Sequence, residues 1–190
     1  MRSLATALVI FAGALAPPAV QAQTKSADKA FVRGGKVDVH LDAGDYEVRA
    51  APDDHIRVTM NGQTGNATID VVVNGKHADV IIRNTWHTNF KCIVEVPRVS
   101  DVAIRLSAGD LRVGPITGSK DIESSAGDMN IAVGNPDDYS SVDASVSVGD
   151  LSGGPFGNPD GGFVAHSIKK SGRGTRTFRA HLGAGDLKLE

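Results

Sequence analysis

The chain has 190 residues, with 20 basic against 22 acidic side chains, 22 glycines and one cysteine. That length suits a single domain with a sizeable core. Near-neutral charge and an aromatic content of 5% exclude a basic, base-stacking nucleic-acid surface, and one cysteine excludes an internal disulfide and a multi-cysteine zinc site.

Residues 1–22 read as a cleaved secretory signal. Arg2 supplies a positive start, Leu4 to Leu15 is an almost unbroken apolar run, and Pro17 and Pro18 break any helix before Val20-Gln21-Ala22. A run of about 12 falls short of the roughly 20 residues that span a bilayer. The expected mature chain, residues 23–190, is a single all-β repeat domain, periplasmic or secreted, with no later segment of transmembrane length.

Strand patterns begin at once. Val37, Val39 and Leu41 alternate with polar residues, as do Ile56, Val58 and Met60. Ile69 to Val73 and Ala78 to Arg83 flank Asn74-Gly75, a hairpin signal. Phe90, Cys92, Val94 and Val96 share a face of a strand ended by Pro97, so Cys92 reads as a buried, inert thiol. No amphipathic helix follows the signal.

An internal repeat then dominates the chain. VHLDAGDYEV (39–48), IRLSAGDLRV (104–113), IESSAGDMNI (122–131), ASVSVGDLSG (144–153) and AHLGAGDLKL (180–189) share a small residue, Gly, Asp and an apolar residue. The pairs are Gly44-Asp45, Gly109-Asp110, Gly127-Asp128, Gly149-Asp150 and Gly185-Asp186, with glycines separated by 65, 18, 22 and 36 residues. The last gap implies a copy lacking its Gly-Asp around Phe163 to Gly172. Inward positions run Ile104, Leu106, Ala108 and then Leu111, Val113. Three steps from Ala108 to Leu111 would flip Leu111 to the opposite face of a continuous strand. Both halves face one core only if Gly-Asp forms a corner or a tight turn, where glycine accepts positive φ and aspartate bonds backbone N–H groups. Solenoid corners and two-residue hairpins both satisfy this phase. The favoured fold is a β-solenoid, right-handed β-helix-like and built from Ala-Gly-Asp corners; the alternative is an antiparallel β-sandwich of hairpins. Glycine-rich stretches at 114–118, 134–138 and 153–162 read as loops.

On these repeated Ala-Gly-Asp-apolar units, and on Ile93-Val94-Glu95-Val96-Pro97 leading into the first close pair of them, the chain resembles the DUF4097 family of adhesin-like proteins, also called the toastrack domain. The resemblance spans nearly all of residues 23–190. It implies a β-helix or related solenoid on exported or membrane-anchored bacterial envelope proteins, some tied to envelope-stress signalling, with no catalytic residues to carry over.

Chemistry in the residues themselves is sparse. The five repeat aspartates read as turn caps; a calcium-binding edge is the alternative, although the nine-residue calcium repeat is absent. Residues two beyond them, Glu47, Arg112, Asn130, Ser152 and Lys188, are of mixed charge. Gly149-Asp150-Leu151-Ser152-Gly153-Gly154-Pro155 resembles a serine-protease signature, but Leu151 breaks its spacing. Outward Arg105, Arg112, Asp143, His166, Arg179, His181 and Lys188 read as scattered rather than as a clustered acid, base and cation. The histidines have no metal-type pairing in sequence. Trp86 and His87 in a polar stretch, and Lys169, Lys170 and Arg173 in a basic one, are the candidate ligand contacts. No catalytic, cofactor or metal residue is assigned. The expected protein is a non-enzymatic envelope module for adhesin-like binding or scaffolding, with an envelope protein or a glycan as partner and an edge available for homo-oligomer pairing. An envelope-stress accessory protein and a carbohydrate-active β-helix enzyme are the alternatives.

Overall fold

The computed structural model describes residues 23–85, 89–161 and 164–190, so the signal segment and Trp86-His87 lie outside the described residues. The strands are β1 (Gln23–Ala30), β2 (Gly35–Leu41), β3 (Gly44–Ala51), β4 (His55–Gly62), β5 (Thr68–Asn74), β6 (His77–Arg83), β7 (Phe90–Pro97), β8 (Ser100–Leu106) and β9 (Gly109–Val113). They continue as β10 (Lys120–Ala126), β11 (Met129–Ile131), β12 (Tyr139–Val148), β13 (Leu151–Ser152), β14 (Asp160–Gly161), β15 (His166–Ser171), β16 (Arg176–Ala184) and β17 (Leu187–Leu189). Two short 3-10 turns, Pro136–Asp138 and Gly154–Phe156, are the helical segments among the described residues. No described helix is long and apolar enough to cross a membrane.

These strands form two mixed sheets. One runs β1-β4-β7-β3-β9-β11-β17-β13 and the other β14-β15-β12-β16-β10-β8-β2-β6-β5. Alternation puts Val39, Ile104 and Ile122 of the larger sheet, and Val48, Leu111 and Met129 of the smaller, into one core at 2% exposure or less. Each Gly-Asp carries the chain from the larger sheet to the smaller: β2 to β3, β8 to β9, β10 to β11, β12 to β13 and β16 to β17. The strands on either side of a corner do not pair with each other, so the turns are corners rather than hairpins. Hairpin geometry appears at β5–β6, where Asn74 pairs with His77 and Gly75 has φ +61°.

Two expectations need correction. A solenoid adds each coil beyond the last, but here β16 and β17 lie between β10 and β12 and between β11 and β13. The corners therefore stack in the order 44, 109, 127, 185, 149. The all-β class stands, as two facing sheets with a parallel middle and antiparallel flanks, which is neither a progressive coil nor a stack of hairpins. Of the inferred copy around Phe163 to Gly172, Phe163 lies outside the described residues, and β15 (His166–Ser171) runs antiparallel to β12 rather than as a parallel coil. A further sheet-to-sheet crossing instead sits within the long first gap. It joins β6 to β7 beside β2 and β3, with Asn84 rather than glycine at φ +59°.

The corners explain the dipeptide. Gly109, Gly127, Gly149 and Gly185 have φ between +115° and +127°. A Cβ on Gly109 would lie 2.0 Å from the Gly44 carbonyl oxygen, one on Gly127 2.1 Å from that of Gly109, and one on Gly185 2.0 Å from that of Gly127. Gly149 would meet the Gly185 oxygen in the same way, at 2.0 Å. Gly44 differs: its φ is not positive, and the Phe90 ring fills the space a Cβ would need, 2.5 Å away. The aspartates continue the stack one residue on. Asp186 donates its backbone N–H to Asp128 Oδ1 at 3.1 Å, and Asp150 donates to Asp186 Oδ1 at 3.2 Å. Each such carboxylate thus caps the next corner in space, not its own.

Among the described residues the core holds one amine. Lys120 is 1% exposed, and its Nζ donates to Ile116 O at 2.8 Å and to Tyr139 Oη at 2.8 Å. Tyr139 in turn donates to Val133 O at 2.7 Å, so the amine and the phenol tie two loops to the aromatic cluster of Tyr139, Phe156 and Phe178. Burial, with Arg176 nearby, lowers the Lys120 pKa to about 8 from 10.5.

Three outcomes follow. Gly109→Val should cost at least about 2 kcal/mol in denaturant unfolding, because positive φ and the carbonyl contact both oppose a β-branched residue. Asp186→Ala should cost about 1 kcal/mol for the lost cap, while Asp186→Asn, which keeps an acceptor, stays near neutral. Between pH 8 and 10.5 the folded chain holds fewer protons on Lys120 than the unfolded chain. Stability relative to Lys120→Met should therefore rise across that window, by up to about 3 kcal/mol.

Candidate functional site

The repeat phase that buries one face of each strand leaves the other face as ranks of polar side chains, one residue per strand, about 4.8 Å apart. On the larger sheet one rank runs His40, Arg105, Glu123, His181, Ser145 across five neighbouring strands. A second, two residues earlier, runs Asp79, Asp38, Ala103, Asp121, Arg179, Asp143, Lys169. On the smaller sheet Glu47, Arg112, Asn130, Lys188 and Ser152 form a third. The outward residues that read as scattered are therefore aligned: Arg105 with His181, Arg179 with Asp143, and Arg112 with Lys188. The sequence hides this because the strands stack out of chain order. His166 falls elsewhere, opposite the buried Val146.

The first rank floors a groove of about 560 Å³ edged by Asp42, Ser107, Ser125 and Ser147. Its charges are held in place. Arg105 donates to the Asp121 carbonyl at 2.9 Å and to Asp121 Oδ2 at 3.0 Å, and its Nε lies 3.2 Å from Glu123 Oε2. Ser145 Oγ and His181 Nδ1 are 2.7 Å apart. A guanidinium fixed by two carboxylates loses little entropy on meeting a ligand. The groove offers donors, acceptors and hydroxyls along one line, which suits an extended polar ligand.

The other candidates are placed less compactly. Asp45, Asp110, Asp128 and Asp186 edge a groove of about 540 Å³ on the smaller sheet, but Lys91, Arg112 and Lys188 interrupt it, so it is not a uniformly acidic cation edge. Lys169 and Lys170 are exposed on β15 and point to opposite faces: Lys169 pairs with outward Asp143, and Lys170 with inward Val142. Only Lys170 joins Arg173, at a groove of about 580 Å³ over Tyr139 and Phe156 at the end of the core. Cys92 is fully buried, and burial pushes its thiol up to about 12, as suits an inert core residue. Ser152 of the protease-like stretch is an exposed residue of the short strand β13. Sequence reading also passed over one cluster: Asp38 of β2 lies beside His77 and Asp79 of β6.

No protein-family model matches the chain, and no curated protein matches it in sequence. Among solved structures, a candidate cell adhesion protein from Clostridium sporogenes is 11% identical, with a TM-score of 0.55 over 88% of this chain and 100% of that one. A lipid-binding candidate from Parabacteroides distasonis is 12% identical, with a TM-score of 0.31 over 88% of this chain and 60% of that one. A candidate adhesin from Parabacteroides merdae is 10% identical, with a TM-score of 0.29 over 58% of this chain and 53% of that one. The last two superpose too poorly to carry an argument. The first establishes that this chain shares its fold, an all-β architecture also found in a protein described in terms of cell adhesion.

Proposed function

We propose that the chain is an exported, non-enzymatic binding module of the bacterial envelope, of the DUF4097 or toastrack kind, which holds an extended polar ligand against its larger sheet. The observation that carries this reading is the rank His40, Arg105, Glu123, His181, Ser145 along a single groove. Its side chains suit recognition of a glycan, with the histidines, Glu123 and the serines offering donors and acceptors to hydroxyls and Arg105 holding Glu123 in place. The shared fold with a candidate cell adhesion protein supports the same class. Residues 1–22 would direct the chain to the periplasm or beyond.

The Ser145–His181 contact gives the enzyme alternative its footing, since an imidazole beside a hydroxyl is half of a nucleophilic pair. Here the serine meets Nδ1 from the adjacent strand on an open sheet face. The pair is used for positioning in this reading, not for catalysis.

Binding of purified residues 23–190 to an acidic and neutral glycan panel tests the proposal. Arg105→Ala and His181→Ala should each weaken retention at least tenfold on neutral members, with acidic members held no better than neutral ones by the parent and melting temperatures within a few degrees of it. Retention that neither substitution changes places the ligand elsewhere. Crosslinking in intact cells that captures one dominant protein, with no glycan retained, makes the module a protein-interaction or stress-signalling part instead.

A further inference from the structure

We propose that Asp38, His77 and Asp79 form a three-ligand site for a zinc-type divalent cation on the outer face of the larger sheet, a site that stands independently of the glycan reading. Register builds it. β2 and β6 run parallel with Asp38 directly opposite Asp79, and His77 lies two residues before Asp79 on the same face. One donor atom from each lies within 4.8 Å of the others.

The distances favour a shared ion over a simple ion pair. His77 Nε2 is 3.3 Å from Asp38 Oδ2 and 3.4 Å from Asp79 Oδ1. Both exceed the mode for an N–H···O bond, and one imidazole N–H cannot serve two acceptors well at once. A tetrahedral ion with arms of roughly 2.0–2.2 Å, the zinc range for imidazole and carboxylate, separates its ligands by roughly 3.3–3.5 Å. The two measured separations match that edge.

Charge points the same way. Two carboxylates facing each other across neighbouring strands repel unless a cation lies between them. A divalent ion held by two aspartates and a neutral imidazole leaves the site with no net charge. Lys36 is the competitor already present: its Nζ lies 2.9 Å from Asp38 Oδ1 and 3.2 Å from Asp38 Oδ2, on a side chain 55% exposed and free to swing outward. One imidazole with carboxylate oxygens suits zinc better than magnesium or calcium, which take more oxygens. Three protein ligands on an open strand face leave the fourth position to water or to a donor from a bound molecule. Asp38 is two residues from His40, so that position borders the groove.

The test is equilibrium dialysis of the metal-free chain against zinc chloride alone, with calcium chloride in parallel. One zinc should bind per chain, with no calcium bound at the same concentrations. His77→Gln and Asp79→Asn should each lose that zinc while melting within a few degrees of the metal-free parent. Lys36→Gln should tighten zinc about tenfold, the order expected from removing a unit charge beside a divalent ion in water. Zinc uptake equal in the parent and in His77→Gln would overturn the site, as would a lack of uptake up to millimolar zinc. A Lys36→Gln variant that binds no better would overturn Lys36 as the competitor for the site.

Discussion

The close approach of one corner's glycine to the carbonyl of its neighbour is the constraint on which the rest depends. Each contact brings two corners to backbone van der Waals distance, and a single methyl group at Gly109 would fall 2.0 Å from Gly44 O. With the corners locked in register, the flanking strands have no freedom to slip. A slip of one residue would turn every inward side chain outward, so the register carries the core with it. The ranks of polar side chains on the outer faces are the other consequence of that register. The ranks across β8, β10, β16 and β12, and the groove they floor, are aligned because the glycines are.

Much of this was readable in the residues. Alternation at Val37, Val39 and Leu41, and at Ile104 and Leu106, gave the strand faces, and the phase change across Ala108 and Leu111 required a bend at Gly109-Asp110. Phase alone left hairpin and corner equal, because both restore the inward face; the partner strands decide between them, and those are set by long-range contacts. Spatial order was beyond reach for the same reason. Separations of 22 and 36 residues between glycines do not reveal that corner 185 lies inside corner 149. Nor did the repeat pattern reveal the crossing from β6 to β7, where Asn84 takes the positive φ that the motif assigns to glycine.

The candidate sites were legible in proportion to their locality. The five aspartates, contiguous with their glycines, read as caps; Asp128 and Asp186 accept backbone N–H groups, and those belong to neighbours 58 and 36 residues away. Arg105 and His181 looked unrelated in sequence and lie in one rank. Asp38 and His77 are separated by three strands, β3, β4 and β5, and only parallel pairing of β2 with β6 unites them. Lys120, a charged residue at an inward position, gave the opposite signal to its fate: its alkyl stem fills core space, and its amine donates to the Ile116 carbonyl of one loop and to the Tyr139 phenol, which donates in turn to Val133 O of another.

The displaced fifth corner bears on how the chain reaches this state. A simple stack can grow by adding each coil to a finished edge, with only nearest-neighbour closures. Here β12 and β13 are made before β16 and β17, yet they touch the rest of the stack through those later strands. As the chain emerges from the ribosome, the fourth corner has no seat until the fifth has been synthesised. β16 and β17 act as a keystone, and the final closure joins the two parts of the molecule in one cooperative step.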